Sequence, residues 1–369
     1  DWEFVTLRRP MDESAASFFP EQIIIEILSR IPVKSLLRFR SVSKSWLRLI
    51  STSYFIGAHL EKSIDDAGLS KHILLFTDCL SGFELKRCSV KSLMSDSSSV
   101  ENDFDYPGKY FFRTISVVGS VQGLVCIAGD EDHVFLWNPA TRRSHKLPNL
   151  VIDLPKGFYY IWGFGCDHRH DYKIVGLFCW IGVSGWYESV VMIHSLKSDS
   201  WKRIQDFKHG IPLDNTGKFA HGKLHYPTTG GRIGRWTIVS LDLDTETYAT
   251  VEQPRCWDDE CESSLGLLGG SICVLRNDMK SVVDVWLLRE YDMADSWTKL
   301  FSISSIRNPR KFLHSTPLFV LPNGEILLFL GAHFVAYDPK TNSLRHRRHP
   351  DHLTQFFEAD IYVESLVSP

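Results

Sequence analysis

Apolar positions follow two different rhythms along this chain. Between Phe18 and Leu60 they recur at helical spacing, with Ile23, Ile24, Ile27, Leu28 and Ile31 falling on one face. Pro20 suits the first position of that helix, where a missing N–H is harmless, and Pro32 ends it by pushing the preceding residue out of the α region. A second short helix carries Leu36, Leu37 and Phe39. A third, opened by Ser43 as N-cap, carries Trp46, Leu47 and Ile50. From about residue 73 the helical period vanishes, and short strand-like runs alternate with Gly, Asn-Pro and Asp-Pro punctuation, an all-β signature. The pattern predicts a three-helix head over residues 18–60, a leader over 1–17, a connector over 61–72 and a β body over 73–369.

The body repeats itself. An apolar run, a turn and a following Ser or Thr recur in FLWNPATRRSHKL, MIHSLKSDSWKRI, VSLDLDTETYATV, WLLREYDMADSWTKL and VAYDPKTNSLRHR. Their turn residues Thr141, Ser198, Thr245, Ala294 and Thr341 are spaced 57, 47, 49 and 47 apart, close to the ~50 residues of a kelch-type propeller blade. A glycine followed by an apolar strand precedes four of the five: Gly123, Gly222, Gly270 and Gly324. We assign these glycines to points where strands crowd a central channel, and the Ser/Thr turns to outer hairpins. With residues 73–94 as a worn first copy, the expectation is a six-bladed β-propeller-like fold. The acidic stretch 92–105 reads as a loop within it.

Length and charge refine this picture. With 369 residues, 44% of them apolar, there is material for a large core, yet 40 residues of helix cannot enclose a self-sufficient one. Part of the head's apolar face therefore needs a partner. The whole chain carries a formal charge of -3, which offers no field for nucleic acid or anionic lipid, so neither a nucleic-acid partner nor a membrane is expected. The head differs: Arg30, Lys34, Arg38, Arg40, Lys44 and Arg48 oppose only Glu21 and Glu26, which favours an acidic partner surface. The longest apolar runs, near ten residues at 174–183 and 326–336, fall well short of the ~20 of a membrane span. A secretory signal is not evident, and the eight cysteines form no C-x-x-C pair and read as buried thiols, so a cytoplasmic or nuclear address is expected.

Motifs for catalysis are weak. Gly217–Lys223 fits a phosphate loop until Leu224 replaces the required hydroxyl, and it falls where the repeat demands a strand. Gly163-Phe-Gly165 lacks the third glycine of a dinucleotide fingerprint and reads as a hairpin. Cys166, His168 and His170 have no second pair at zinc spacing. No catalytic residue, metal or cofactor is assigned. Trp137, Trp201, Trp286 and Trp297 recur near the turn element and read as packing between blades. Trp162, Trp180, Trp186, Trp236 and Trp257 lie off the repeat and are the candidates for exposed recognition loops.

The head resembles the F-box. The residues that carry this are Phe19-Pro20, Ile23–Leu28, Ile31-Pro32, Ser35-Leu-Leu-Arg-Phe-Arg40 and Val42-Ser-Lys-Ser-Trp46, with Phe19 and Ile31 standing where leucine is usual. The body is similar to the associated domain of plant F-box proteins of the S-locus and F-box/kelch-repeat groups. That likeness rests on Gln122–Cys126, Leu136-Trp-Asn-Pro-Ala-Thr141, Asp171–Val175, Ser296–Lys299, Tyr337–Thr341 and Tyr362-Val-Glu-Ser-Leu366. The resemblance implies a non-catalytic substrate receptor of a Skp–cullin–F-box ubiquitin ligase, docked on the Skp adaptor and through it on cullin and RING subunits. It places Phe19, Pro20, Ile23, Ile24, Ile27, Leu28, Pro32, Leu36, Val42 and Trp46 between adaptor interface and head core, with Lys44 at the rim. The β body would hold a protein target. Two other classes remain: a propeller enzyme of glycosidase or oxidase type, and an adaptor-binding protein that degrades nothing.

Overall fold

The computed structural model describes residues 20–78, 84–95, 104–129, 133–183, 185, 187–230, 235–254, 256–257, 261–280, 282–291, 293–303, 316–330, 333–346 and 356–369. The head begins as expected, with α1 (Glu21–Leu28), α2 (Val33–Phe39) and α3 (Lys44–Ile50). Pro20 and Pro32 stand at the N-caps of α1 and α2, and the Ser43 hydroxyl accepts from Trp46 N at 3.1 Å to cap α3. A fourth helix, α4 (Ser53–Ile64), was not foreseen; Thr52 caps it through Phe55 N. It crosses residue 60 and ends at Ile64, so about a third of the expected connector is helical. Among the described residues no helix is long and apolar enough to cross a membrane.

The body is a succession of antiparallel sheets. After β1 (His72–Asp78), β2 (Glu84–Ser89) and the short α5 (Val90–Met94) comes a four-stranded sheet, β3 (Ile115–Val121), β4 (Leu124–Gly129), β5 (Val134–Asn138) and β6 (Arg143–Lys146). Next are β7 (Tyr159–Cys166), β8 (Tyr172–Ile181), β9 (Tyr187–Ser195) and β10 (Ser200–Arg203). These are followed by β11 (Ile211–Pro212), β12 (Thr216–Ala220), β13 (Lys223–Gly230), β14 (Arg235–Asp242) and β15 (Tyr248–Val251). Two further four-stranded sheets are β16 (Glu262–Leu268) to β17 (Ser271–Asn277), β18 (Val283–Leu288) and β19 (Trp297–Ile303), and β20 (Thr316–Val320) to β21 (Ile326–Leu330), β22 (His333–Asp338) and β23 (Ser343–His346). Finally β24 (Phe356–Val363) returns to pair with β1, so the first sheet is three-stranded, in the order β2-β1-β24.

This is a propeller-like arrangement, but six separate blades are not what the hydrogen bonds give. Among the described residues four sheets have four or more strands, and the three-stranded sheet accompanies them. The departure arises where β12 pairs in parallel with β7 through Thr216↔Trp162 and Gly217↔Gly163, fusing β7–β10 and β11–β15 into one nine-stranded sheet. Spacing alone gives no warning of such a joint, because it counts turns and not lateral pairing.

All five turn anchors, Ala294 among them, sit between the third and fourth strands of their units, as expected, when β11 is counted as an extra strand beside β12–β15. The four glycines need a different explanation. They occupy the turn between first and second strands with φ between +73° and +86°, the left-handed region. Turn geometry selects them there, joined at Gly123 by the close approach of Ser365, and not crowding at a channel. Residues 96–103 of the expected acidic loop lie outside the described residues, and α5 takes up part of its beginning.

Core clusters lie between neighbouring sheets. Trp137 is buried with Phe104, Tyr106 and Tyr362; Trp297 is buried beside Trp257 at 5.1 Å between centroids. Trp201 donates its indole N–H to Pro148 O, and Trp286 packs on the same cluster as Trp257. The interior cysteines Cys88, Cys126, Cys166, Cys179 and Cys273 are buried and not disulfide-bonded, whereas Cys256 is exposed.

Candidate functional site

Four short helices leave the head with one buried side and one open side. Leu28, Val33, Leu36, Ile50 and Phe55 are its core, joined by Leu366 from the far side of the sequence. Phe39 and Trp46 close over that core edge to face, 5.4 Å apart, and Ile24 is half-buried against it. On the open side Ile23 is 47% exposed, Ile27 55% and Val42 63%, with Leu47 and Tyr54 also exposed. Ile23 and Ile27 are one turn apart on α1, so their side chains stack into a ridge. Pro20, Pro32 and Lys44 are exposed as well.

The expected contact set thus divides. Pro20, Ile23, Ile27, Pro32, Val42 and Lys44 present themselves to solvent, Ile24 and Trp46 are shared, and Leu28 and Leu36 are consumed by the head's own core. Phe19 lies outside the described residues. Arg30, Lys34, Arg38, Lys44 and Arg48 are all exposed. Glu26, one of only two head anions, is engaged by Arg30 and by Lys62 at 3.3 Å; these hydrogen bonds hold its carboxyl below the ordinary range. The head's exposed surface therefore combines large apolar side chains with five cations.

The tryptophans assigned to recognition do not act as a group. Trp162 and Trp257 are buried in the clusters between sheets, where Trp162 meets Phe178 edge to face and Trp201 at a tilt, so neither lies on an exposed loop. Trp236 is partly buried against the Trp257 cluster. Trp180 is partly buried and donates to Glu188 at 3.0 Å. Trp186 lies outside the described residues. Large aromatics off a repeat are still the best filling for wide gaps between twisted sheets, and packing claimed two of them.

A different surface was missed. In the β3–β6 unit the first-to-second and third-to-fourth turns lie toward the end where the head sits, shown by Gly123 against Ser365 and by Ala140 against the head core, and the antiparallel order of the following units repeats that alternation. The second-to-third loops and the connections between units lie at the other end. There Tyr110, Phe111, Val151, Ile181, Val183, Ile211 and Leu213 are exposed, all on three successive units, β3–β6, β7–β10 and β11–β15. Tyr159 and Tyr187, hydroxyl to hydroxyl at 2.5 Å, stand among them. These residues occupy segments without period, so no pattern announced them.

Residues 17–56 match the F-box domain and residues 74–363 match the F-box associated beta propeller domain. The chain is 30% identical to the F-box protein CPR1 of Arabidopsis thaliana, over 94% of this chain and 88% of the relative. It is 28% identical to an F-box/kelch-repeat protein of the same plant, over 97% of this chain and 99% of that one. Among solved structures, TolB from Acinetobacter baumannii superposes with a TM-score of 0.50 at 11% identity, covering 85% of this chain and 73% of TolB, a likeness of fold alone.

Proposed function

We propose a function from the premise that this chain belongs to the F-box associated β-propeller family, with an F-box at its head: it is the non-catalytic substrate receptor of a Skp–cullin–F-box ubiquitin ligase, working in cytoplasm or nucleus. The observation that carries this reading is the ridge of Ile23 and Ile27 with Val42, uncovered while Leu28, Leu36 and Ile50 fill the core. An acidic Skp-type adaptor that buries this ridge against its own helices would meet the head's exposed cations, which speed encounter more than they tighten the complex.

The protein target would engage the opposite end, through the aromatic and aliphatic loops that include Tyr110, Phe111, Ile181 and Val183. Holding a target beside a ubiquitin-charged enzyme raises its effective concentration, and no chemistry is asked of this chain. Co-elution of the full chain with a purified Skp adaptor tests the first half. A folded Ile23→Asp/Ile27→Asp variant that still co-elutes overturns it. Affinity capture under proteasome inhibition tests the second. Tyr110→Ser/Phe111→Ser should lose a target that the wild type retains, while keeping the adaptor; equal recovery of targets by both proteins overturns the assignment of that face.

A further inference from the structure

Beyond β24 the chain does not leave the molecule. Residues 364–368 thread the seam between head and propeller, and successive residues bond to alternate sides. Glu364 N donates to Lys71 O at 2.9 Å, in the connection between α4 and β1, and Lys71 Nζ in turn reaches Ser29 O at the end of α1. Ser365, fully buried, offers its carbonyl to Asn138 Nδ2 at 3.0 Å, and Val367 O accepts from the same amide at 2.6 Å. Between them Leu366 points the other way, into the head core beside Leu36 and Phe55. Val367 packs on the cluster shared by β3–β6 and β7–β8.

Asn138 is fully buried, and all of its hydrogen-bonding capacity is committed. Its Oδ1 accepts from Ala140 N at 2.9 Å and Thr141 N at 3.1 Å, fixing the turn after β5, while its amide clamps the 364–368 backbone. Gly123 makes room on the other side: at φ +82°, a Cβ there would lie 2.3 Å from Ser365 Oγ and 2.6 Å from Val363 O. Three sites in distant parts of the sequence are thus shaped to one short segment.

We infer that residues 364–368 are a positioning splint, with Asn138 and Leu366 as its two fastenings, that sets one fixed orientation of the helical head on the propeller. The inference rests on the receptor reading only for its consequence in ubiquitin transfer. A head free to swivel would bind the adaptor as before but would spread the target over many distances from the ubiquitin-charged enzyme.

The test is a spin-label distance measurement on the full chain carrying Ser51→Cys and Lys280→Cys, with Cys79, Cys256 and Cys261 replaced by Ser. The starting protein should give one narrow distance, and Leu366→Asn and Asn138→Ala should each give a broad spread, with the Leu366→Met variant restoring the narrow peak. Adaptor affinity should stay within about twofold, while target ubiquitination falls about 10–100-fold. An unchanged narrow distance in a folded variant of either fastening overturns the splint. Should Leu366→Asn unfold the head, Asn138→Ala and Gly123→Ala, whose sites lie in the body, decide the matter. Absence of adaptor binding by the starting protein would refute the receptor reading alone, because the distance is measured without it.

Discussion

Truncating the exposed ridge and truncating the core beneath it should have opposite consequences, although both remove aliphatic carbon from the same 40 residues. Ile23, Ile27 and Val42 keep about half of their surface in water, 47%, 55% and 63%. Fully burying such a side chain is worth about 1.5–3 kcal/mol, so docking gains about 1 kcal/mol from each half that remains. The triple alanine variant should then weaken adaptor binding by about 3 kcal/mol, roughly 150-fold in Kd, with its melting temperature within about 2 °C of wild type. Leu36→Ala makes the complementary case. Leu36 is fully buried in a cluster of six residues, so the variant should lose about 2–5 kcal/mol of head stability and bind weakly only in proportion to the unfolded fraction. Isothermal titration with the adaptor, paired with thermal unfolding of each variant, separates the two. A triple variant that binds within threefold of wild type would refute the assignment of the ridge as the interface.

Acid should destabilise the protein through two histidines. Burial pushes His59 and His225 down to about 4, so each is neutral in the fold at pH values where the unfolded chain is already protonated. Their contribution is intact above about pH 6.5 and is lost as pH falls toward 4, on the order of 2 kcal/mol for each at pH 5. Asp360, raised to about 6 by burial, works in the opposite sense, so denaturant midpoints between pH 7 and 4.5 should be compared with those of His59→Gln and His225→Gln. Either substitution should flatten the slope, and an unaltered slope in both would contradict the assignment. Gly123→Ala should destabilise by more than about 2 kcal/mol, since it combines a left-handed backbone with collision against Ser365; a neutral effect in chemical denaturation would show that the 364–368 segment is loosely held. Thiol labelling of the native protein at pH 8 should modify Cys256 well before Cys88, Cys166 and Cys179, whose burial pushes them up to about 12, 11 and 11; equal rates, read by peptide mass spectrometry, would refute the packing. Trp257→Ala should lower the melting temperature and leave target capture by the folded fraction unchanged.

The sequence was most legible where a periodic constraint governs each residue. Helix boundaries at Pro20, Pro32 and Ser43 follow from local backbone chemistry, and the Thr141, Ser198, Thr245 and Thr341 turns recur because every four-stranded unit needs the same reversal. Helix α4 was overlooked because its buried residues, Phe55, His59 and Ser63, include a histidine and a serine, which blur an apolar face. His59 earns its interior place by bonding to Ile31 O at 3.0 Å. Lateral relations were illegible for a different reason. Nothing along the chain distinguishes Leu36, which the head covers, from Ile27, which it leaves bare, because both obey one spacing and only the crossing of helices separates them. Likewise, the fusion of β7 with β12 and the burial of Trp162 depend on which sheets become neighbours.

The pairing of β24 with β1 also dictates a timetable. His72 meets Val363, a partner synthesised about 290 residues later, so the first sheet lacks its third strand until that stretch has been made. At roughly 5–20 residues per second the ribosome needs some 15–60 s to supply it. During that interval the head, too, waits without Leu366 in its interior. The nascent polypeptide therefore emerges with its aliphatic helices and an unpaired strand exposed, the condition in which chaperones engage their clients. A premature stop codon upstream of residue 356 would leave that condition permanent and turn the product from a stable protein into a substrate for quality control.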